Sequence, residues 1–254
     1  MKNLALVMFS GQTHLDFVGF YDCMLRLKAV RPQLEMRFCS RERQVSDSGG
    51  LTIDAGEITT DLGGFDAVFV PGGMATRRLR DDAGFISWLA TARDAKYKFS
   101  VCTGSLLLGA AGFLRGRRAT THPFCYDLLA PYCADVVHER LVRESLPTGG
   151  EIITAGGVSS SIELGLCVIE KFAGASAREV AAAAMDYPYL CACSHKGSCG
   201  SFNKRASIIT SGVYGGHQNV RDRKFCVRLR FLLNRVMKRG LDWIASRRRF
   251  AERA

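Results

Sequence analysis

Cys102 stands where an apolar run, Phe99 to Val101, meets a helix-forming run, Leu106 to Ala111, with Thr103, Gly104 and Ser105 between them. A strand-to-helix turn of this kind projects its side chain outward and leaves the backbone N-H groups of Thr103 and Gly104 without intrahelical partners. It also aims the positive end of a helix at the sulfur, which lowers a thiol pKa and makes a nucleophile. The same residue type serves equally as a small buried hydrophobe, and this stretch alone leaves both roles open.

The elements that must position Cys102 alternate along the chain. Leu4–Phe9 is an apolar run fit for a strand covered on both faces, and an amphipathic helix follows over 15–30. A strand over 34–39 precedes a hairpin over 44–54, with Gly49-Gly50 in its middle. Asp66–Val70 is a buried strand ending in Pro71-Gly72-Gly73, and Phe85, Trp88, Leu89 and Ala92 give helical spacing over 82–95. After Cys102 come a short helix over 127–132, strands over 135–142 and 151–155, and helices over 159–172 and 177–185. Strands alternating with helices imply a mostly parallel sheet with helices on both faces, an α/β fold.

In such sheets a site forms outside the carboxyl ends of the strands. Four turns qualify: the one before Asp16, Pro71-Gly72-Gly73, Cys102-Thr103-Gly104 and Ala155-Gly156-Gly157. Three are glycine-rich, so a ligand can approach the backbone, although each glycine pair also suits a plain tight turn.

The 254 residues suffice for one large α/β domain or for one domain with an appendage. Ten Cys are scattered through apolar segments, and the first residues read as a strand, so reduced thiols in the cytoplasm are expected. No apolar run approaches the roughly 18 to 20 residues that span a membrane, and no membrane partner is expected. The net charge of +11 is unevenly placed. From His195 onward there are fifteen Lys or Arg against three acidic residues, which leaves the preceding body close to neutral. The division is therefore a domain over 1–190 and a basic extension over 191–254, poorly ordered or partly helical. Phe225, Leu229, Leu232 and Val236 share one face of a basic helix there, a surface for a partner or nucleic acid; a divergent basic extension is the preferred account. Cys191, Cys193, His195 and Cys199 crowd together without the paired spacing of common zinc sites, so no metal and no cofactor is expected.

Five motifs occur in order: Asp16-x-x-Gly19, Asp66 to Pro71-Gly72-Gly73, Val101-Cys102-Thr103-Gly104-Ser105 with the leucines that follow, Arg117 to Thr120-Thr121-His122, and Thr154-Ala155-Gly156-Gly157-Val158. In this combination residues 1 to 187 resemble the DJ-1/PfpI superfamily and, within it, the isonitrile hydratases. The resemblance implies a flavodoxin-like α/β/α sandwich, a homodimer with its site near the interface, and a small-molecule substrate. It implies that Cys102 is the nucleophile, that Asp16 faces it as proton donor, and that Thr103 is the hydratase residue after the nucleophile. Amides of Gly72, Gly73 and Thr103 would stabilise negative charge, with Gly104 and His122 beside the pocket. Asp16 otherwise suits a helix start, and His122 equally suits holding a turn.

Such a site would add water to an isonitrile, R-N≡C, through a covalent thioimidate and release an N-substituted formamide. Phe20 replaces the Pro common after the Gly of Asp-x-x-Gly, and Pro123 replaces a Trp that hydratases tend to carry. His122-Pro123 is instead similar to the DJ-1 branch, whose members are assigned glyoxalase-like or deglycase roles; that branch usually has Glu facing the cysteine and Ala after it. The PfpI branch has His after its cysteine, which Thr103 disfavours. A third alternative is a ligand-sensing regulator of the kind that joins a similar domain to AraC-type helix-turn-helix units, for which the basic extension is short.

Overall fold

The computed structural model describes Met1–Pro188. The basic extension and the group at Cys191, Cys193, His195 and Cys199 lie outside the described residues. In chain order the elements are β1 (Asn3–Met8), α1 (His14–Val30), β2 (Glu35–Ser40), β3 (Gln44–Ser46), β4 (Thr52–Asp54), β5 (Ala67–Val70), α2 (Thr76–Leu79) and α3 (Ala83–Ala90). There follow β6 (Tyr97–Val101), α4 (Gly104–Ala110), β7 (Arg118–Ala119), α5 (Tyr126–Leu129), β8 (Asp135–Val136), β9 (Leu141–Ser145), β10 (Glu151–Ala155), α6 (Ser160–Ala173) and α7 (Ala175–Ala184).

Six strands form the main sheet in the order β2-β1-β5-β6-β10-β9, parallel except for β9, which pairs antiparallel with β10. This is the flavodoxin-like order with an added edge strand, and helices cover both faces. Side chains alternate across the sheet as the period of two requires. Leu4, Leu6 and Met8 join Phe17, Phe20, Phe69 and Leu166 in one core, while Ala5, Val7 and Phe9 join Val68, Trp88 and Leu107 in the other. Strands apolar at every position are thus strands buried on both faces.

Chain direction reverses between β1 and β5, because β1 leads through α1 to β2 on one side while β5 pairs with β1 on the other. That reversal opens a crevice at the carboxyl ends of these strands. Asp16 lies in the first turn of α1 and Gly72 two residues past β5, so both stand at the crevice. Gly19, three residues on, sits where α1 crosses α6; a Cβ there would lie 2.3 Å from Ser161 Oγ. Phe20 stacks on Phe69 with ring centroids 4.0 Å apart and is fully buried, so the departure at this position fills the core beneath the site.

Two expectations require correction. Residues 135–142 do not form one strand: β8 pairs with β7, and β9 pairs with β10. The break is held by Tyr126 stacked on His138 at 4.0 Å and by Thr120 Oγ1 donating to the Glu139 carbonyl at 2.9 Å. The helix over 82–95 ends at Ala90 and tightens to a 3-10 turn over Thr91–Asp94, where Thr91 Oγ1 bonds back to the Trp88 carbonyl. Among the described residues no helix is long and apolar enough to cross a membrane.

Candidate active site

Cys102 follows β6 with a φ of 54°, a left-handed conformation that costs a non-glycine residue on the order of 1–3 kcal/mol. The surroundings hold it there. Its N-H donates to the Ala155 and Gly156 carbonyls at 3.1 and 2.7 Å. Its carbonyl accepts from Ser105 Oγ at 3.3 Å and Thr121 Oγ1 at 3.0 Å. Backbone strain at a reactive side chain is thus fixed by β10 below and by the Thr-Thr-His loop beside it, and the residue is buried.

Gly72 joins the Cys102 turn to α1. Its N-H donates to Asp16 Oδ2 at 2.9 Å, and its carbonyl accepts from the Thr13 N-H at 2.8 Å. A Cβ at this position would lie 2.6 Å from the Thr103 nitrogen, 2.7 Å from Cys102 Cβ and 2.8 Å from Asp16 Oδ2. Carboxylate, thiol-bearing carbon and amide thus converge on the space a side chain would fill. Two of those three atoms belong to backbone or to a fixed Cβ and cannot swing away. Gly72→Ala is therefore expected to destabilise the protein by about 3 kcal/mol, read as a lowered urea midpoint at unchanged slope.

Asp16 is fully buried, and burial pushes its carboxyl up to about 7. The Gly72 amide and the Cys102 thiol pull it part of the way back. Oδ2 has its amide donor, whereas Oδ1 has no hydrogen-bond partner among the described residues. The Cys102 thiol is pushed up to about 12, by burial first and by the Asp16 charge second, against the Thr103 amide and hydroxyl. This reverses the lowered thiol pKa expected from a helix start. A helix end supplies partial charges, whereas burial under α1 and a facing carboxyl act on the whole thiolate charge. In the resting pair at neutral pH the sulfur keeps its proton, and Asp16 is poised to take it.

The remaining predicted residues are placed as follows. Thr103 Oγ1 accepts from the Gly73 N-H at 3.0 Å and donates to the Gly73 carbonyl at 3.1 Å, tying the two turns together. The Gly72 and Gly73 amides therefore already have acceptors, Asp16 and Thr103; of the three expected donors, only the Thr103 amide lies against the sulfur. Gly104 opens α4 and is packed on the Val70 and Pro71 carbonyls, where it has no room for a side chain. His122 holds a turn: its Nδ1 accepts from the Phe124 N-H at 3.2 Å. The other side of the ring lies over Gly157. Thr121 and Ser105, which anchor the Cys102 carbonyl, were not singled out by sequence reasoning; Thr121 lies within the Thr-Thr-His motif.

A buried cysteine on a strained turn, paired with a buried carboxyl across a glycine, now stands on a flavodoxin-like sheet. The model of the DJ-1/PfpI family matches residues 3–171. The chain belongs to the DJ-1/PfpI family. Among curated relatives of this family, an isonitrile hydratase of Pseudomonas putida is 32% identical over 185 residues, 72% of this chain and 78% of that protein. The protein DJ-1 homolog A of Arabidopsis thaliana is 26% identical over 182 residues, 68% of this chain and 43% of that one. A THiJ/PfpI family protein from Pseudomonas syringae superposes with a TM-score of 0.64 at 26% identity, covering 84% of this chain and 87% of the other.

Proposed function

We propose that the protein hydrates an isonitrile to an N-substituted formamide, with Cys102 as nucleophile and Asp16 as proton carrier. The observation that carries this reading is the buried Asp16 carboxyl facing Cys102 across Gly72, a pair that passes from two protons to one near pH 7. Similarity to the Pseudomonas putida isonitrile hydratase supports it.

The terminal carbon of R-N≡C must gain both a sulfur and a hydrogen. The pair Asp16-COO⁻ and Cys102-SH has a tautomer, Asp16-COOH and Cys102-S⁻, of the same net charge. In that form the sulfur attacks the carbon while Asp16 delivers to it the proton the thiol gave up, giving R-N=CH-S-Cys102. The regenerated Asp16 carboxylate then takes a proton from water as hydroxide adds to the same carbon, and Asp16 passes that proton to the nitrogen, becoming a carboxylate again. Collapse of R-NH-CH(OH)-S-Cys102 expels the thiolate and leaves R-NH-CHO, with the hydroxyl proton returned to the pair. Thr103 offers its amide to the sulfur throughout and so eases its departure.

Purified protein mixed separately with an alkyl isonitrile and with methylglyoxal tests this reading. Formamide from the first supports it. Lactate from the second, without formamide, would establish instead the glyoxalase-like alternative that His122-Pro123 and the DJ-1 relatives suggest.

The working assembly in this reading is a homodimer. Leu15, Val18 and Leu25 form an exposed apolar stripe along α1, beginning one residue before Asp16. A second copy covering that stripe would bring its own surface to the mouth of the site. Val18→Glu is expected to shift the sedimentation coefficient from dimer to monomer; a monomeric parent protein would end the idea.

A further inference from the structure

Arg77 has no part in the chemistry described so far, yet it stands where the two loops beside Cys102 meet. On one side, Gly73 is bound to Thr103, and the tight turn after it carries the chain to Arg77: Thr76 Oγ1 donates to the Gly73 carbonyl at 2.7 Å and the Arg77 N-H to the Met74 carbonyl at 3.4 Å. On the other side, Thr121 is bound to the Cys102 carbonyl and the Cys125 N-H to the His122 carbonyl at 2.8 Å. The Arg77 guanidinium closes the gap, with Nη2 3.2 Å from Cys125 Sγ and Nη1 3.5 Å from Met74 Sδ. Cys125 is near enough to Cys102 to act on its titration.

The partners of this guanidinium are unusual. Both are sulfurs, which are weak acceptors, and Arg77 enters none of the ion pairs among the described residues. A half-buried guanidinium satisfied by two thioether and thiol contacts retains donors in the fork geometry that matches a carboxylate. Around it the rim is apolar and open, with Met74 64% and Phe124 92% exposed.

We propose that Arg77 anchors a carboxylate on the molecule that Cys102 attacks, so that the substrate is an isonitrile whose nitrogen substituent carries a carboxylate. The anchor stands on the position of Arg77; that the attacked group is an isonitrile rests on the function proposed above.

Alkylation separates the two parts, because iodoacetate and iodoacetamide differ in charge and hardly in size. Each forms an S-C bond at cysteine with loss of iodide. Cys102 and Cys125 fall on different tryptic peptides, so the rate at Cys102 is read by mass spectrometry. The iodoacetate-to-iodoacetamide rate ratio at Cys102 is expected to fall about tenfold in Arg77→Met and to stay within about threefold of the parent in Arg77→Lys, which keeps the charge. Thermal melts of both variants establish that they fold. An unchanged ratio in folded Arg77→Met overturns the anchor. The same variants are then given 3-isocyanopropanoate and its methyl ester. A fall of about tenfold in the acid-to-ester ratio of kcat/KM for Arg77→Met supports the substrate class. An ester hydrated as well as the acid by the parent protein overturns it. Formamide from neither compound, with the alkylation ratio still dependent on Arg77, overturns the isonitrile reading and keeps the anion anchor.

Discussion

Cys102→Ala protein is expected to lose isonitrile hydration by about 10⁴-fold or more, because the turn holds no second thiol to form the covalent bond. The loss should fall on kcat, since the variant still presents the pocket to substrate. Two companion measurements make the result specific. Intact-protein mass spectra of the parent, quenched during turnover, should show one molecule of isonitrile added at the Cys102 peptide, and the variant none. Cys102→Gly should be equally inactive yet more stable than Cys102→Ala by about 1 kcal/mol, because glycine adopts a φ of 54° without strain and alanine does not. A Cys102→Ala protein that produced formamide at the parent rate would remove the mechanism, and a Cys102→Gly protein no more stable than Cys102→Ala would remove the strain.

The elements that carry this site were legible because their signals are local. A strand apolar at every position, such as Leu4–Met8, announces burial on both faces, and a glycine-rich turn after it announces a carboxyl edge. Asp16, Gly72, Cys102 and Thr103 could thus be assigned to one edge of one sheet. What failed depends on partners far along the chain. Whether residues 135–142 form one strand is decided by which edges they pair with and by the ring of Tyr126 under His138. The direction of the Cys102 titration was misjudged for the same reason. A helix start is visible in five residues, whereas the burial imposed by α1 and the charge of Asp16 come from more than seventy positions away. The amides of Gly72 and Gly73 look free in a sequence, and only the fold shows them engaged by Asp16 and Thr103. Arg77 gave no signal at all, because α2 is four residues long and has no periodicity to read.

Asp16→Asn, the other large effect expected, should lower kcat/KM by about 10² to 10⁴-fold, the range of a positioned proton carrier. Its pH dependence identifies the role. Below about 7 the parent pair carries two protons, one on the Asp16 carboxyl and one on the sulfur, and the thiol has no base to receive its proton. Above about 7 the carboxylate is available, so kcat/KM of the parent should rise with a midpoint near 7 and then level off. In Asp16→Asn that step should vanish, leaving a small activity that climbs steadily with pH as thiolate forms. A midpoint near 7 that survived in Asp16→Asn would assign it to another group. The same carboxyl makes an opposite prediction for stability. Its folded pKa is raised from 3.8 to about 7, so the folded state holds the proton more tightly than the unfolded chain. Sites of this kind favour folding below pH 3.8, and the benefit is lost as pH climbs to 7, beyond which the buried charge costs up to about 4 kcal/mol. Asp16→Asn escapes that cost, so it should be more stable than the parent at pH 8 and show little advantage at pH 4. Urea melts at the two pH values would measure the difference, and equal gaps at both would mean that Asp16 is not held in a strained ionised state. A crippled variant that outlasts its parent only at the pH where the parent works is what a carboxyl kept dry for proton transfer requires.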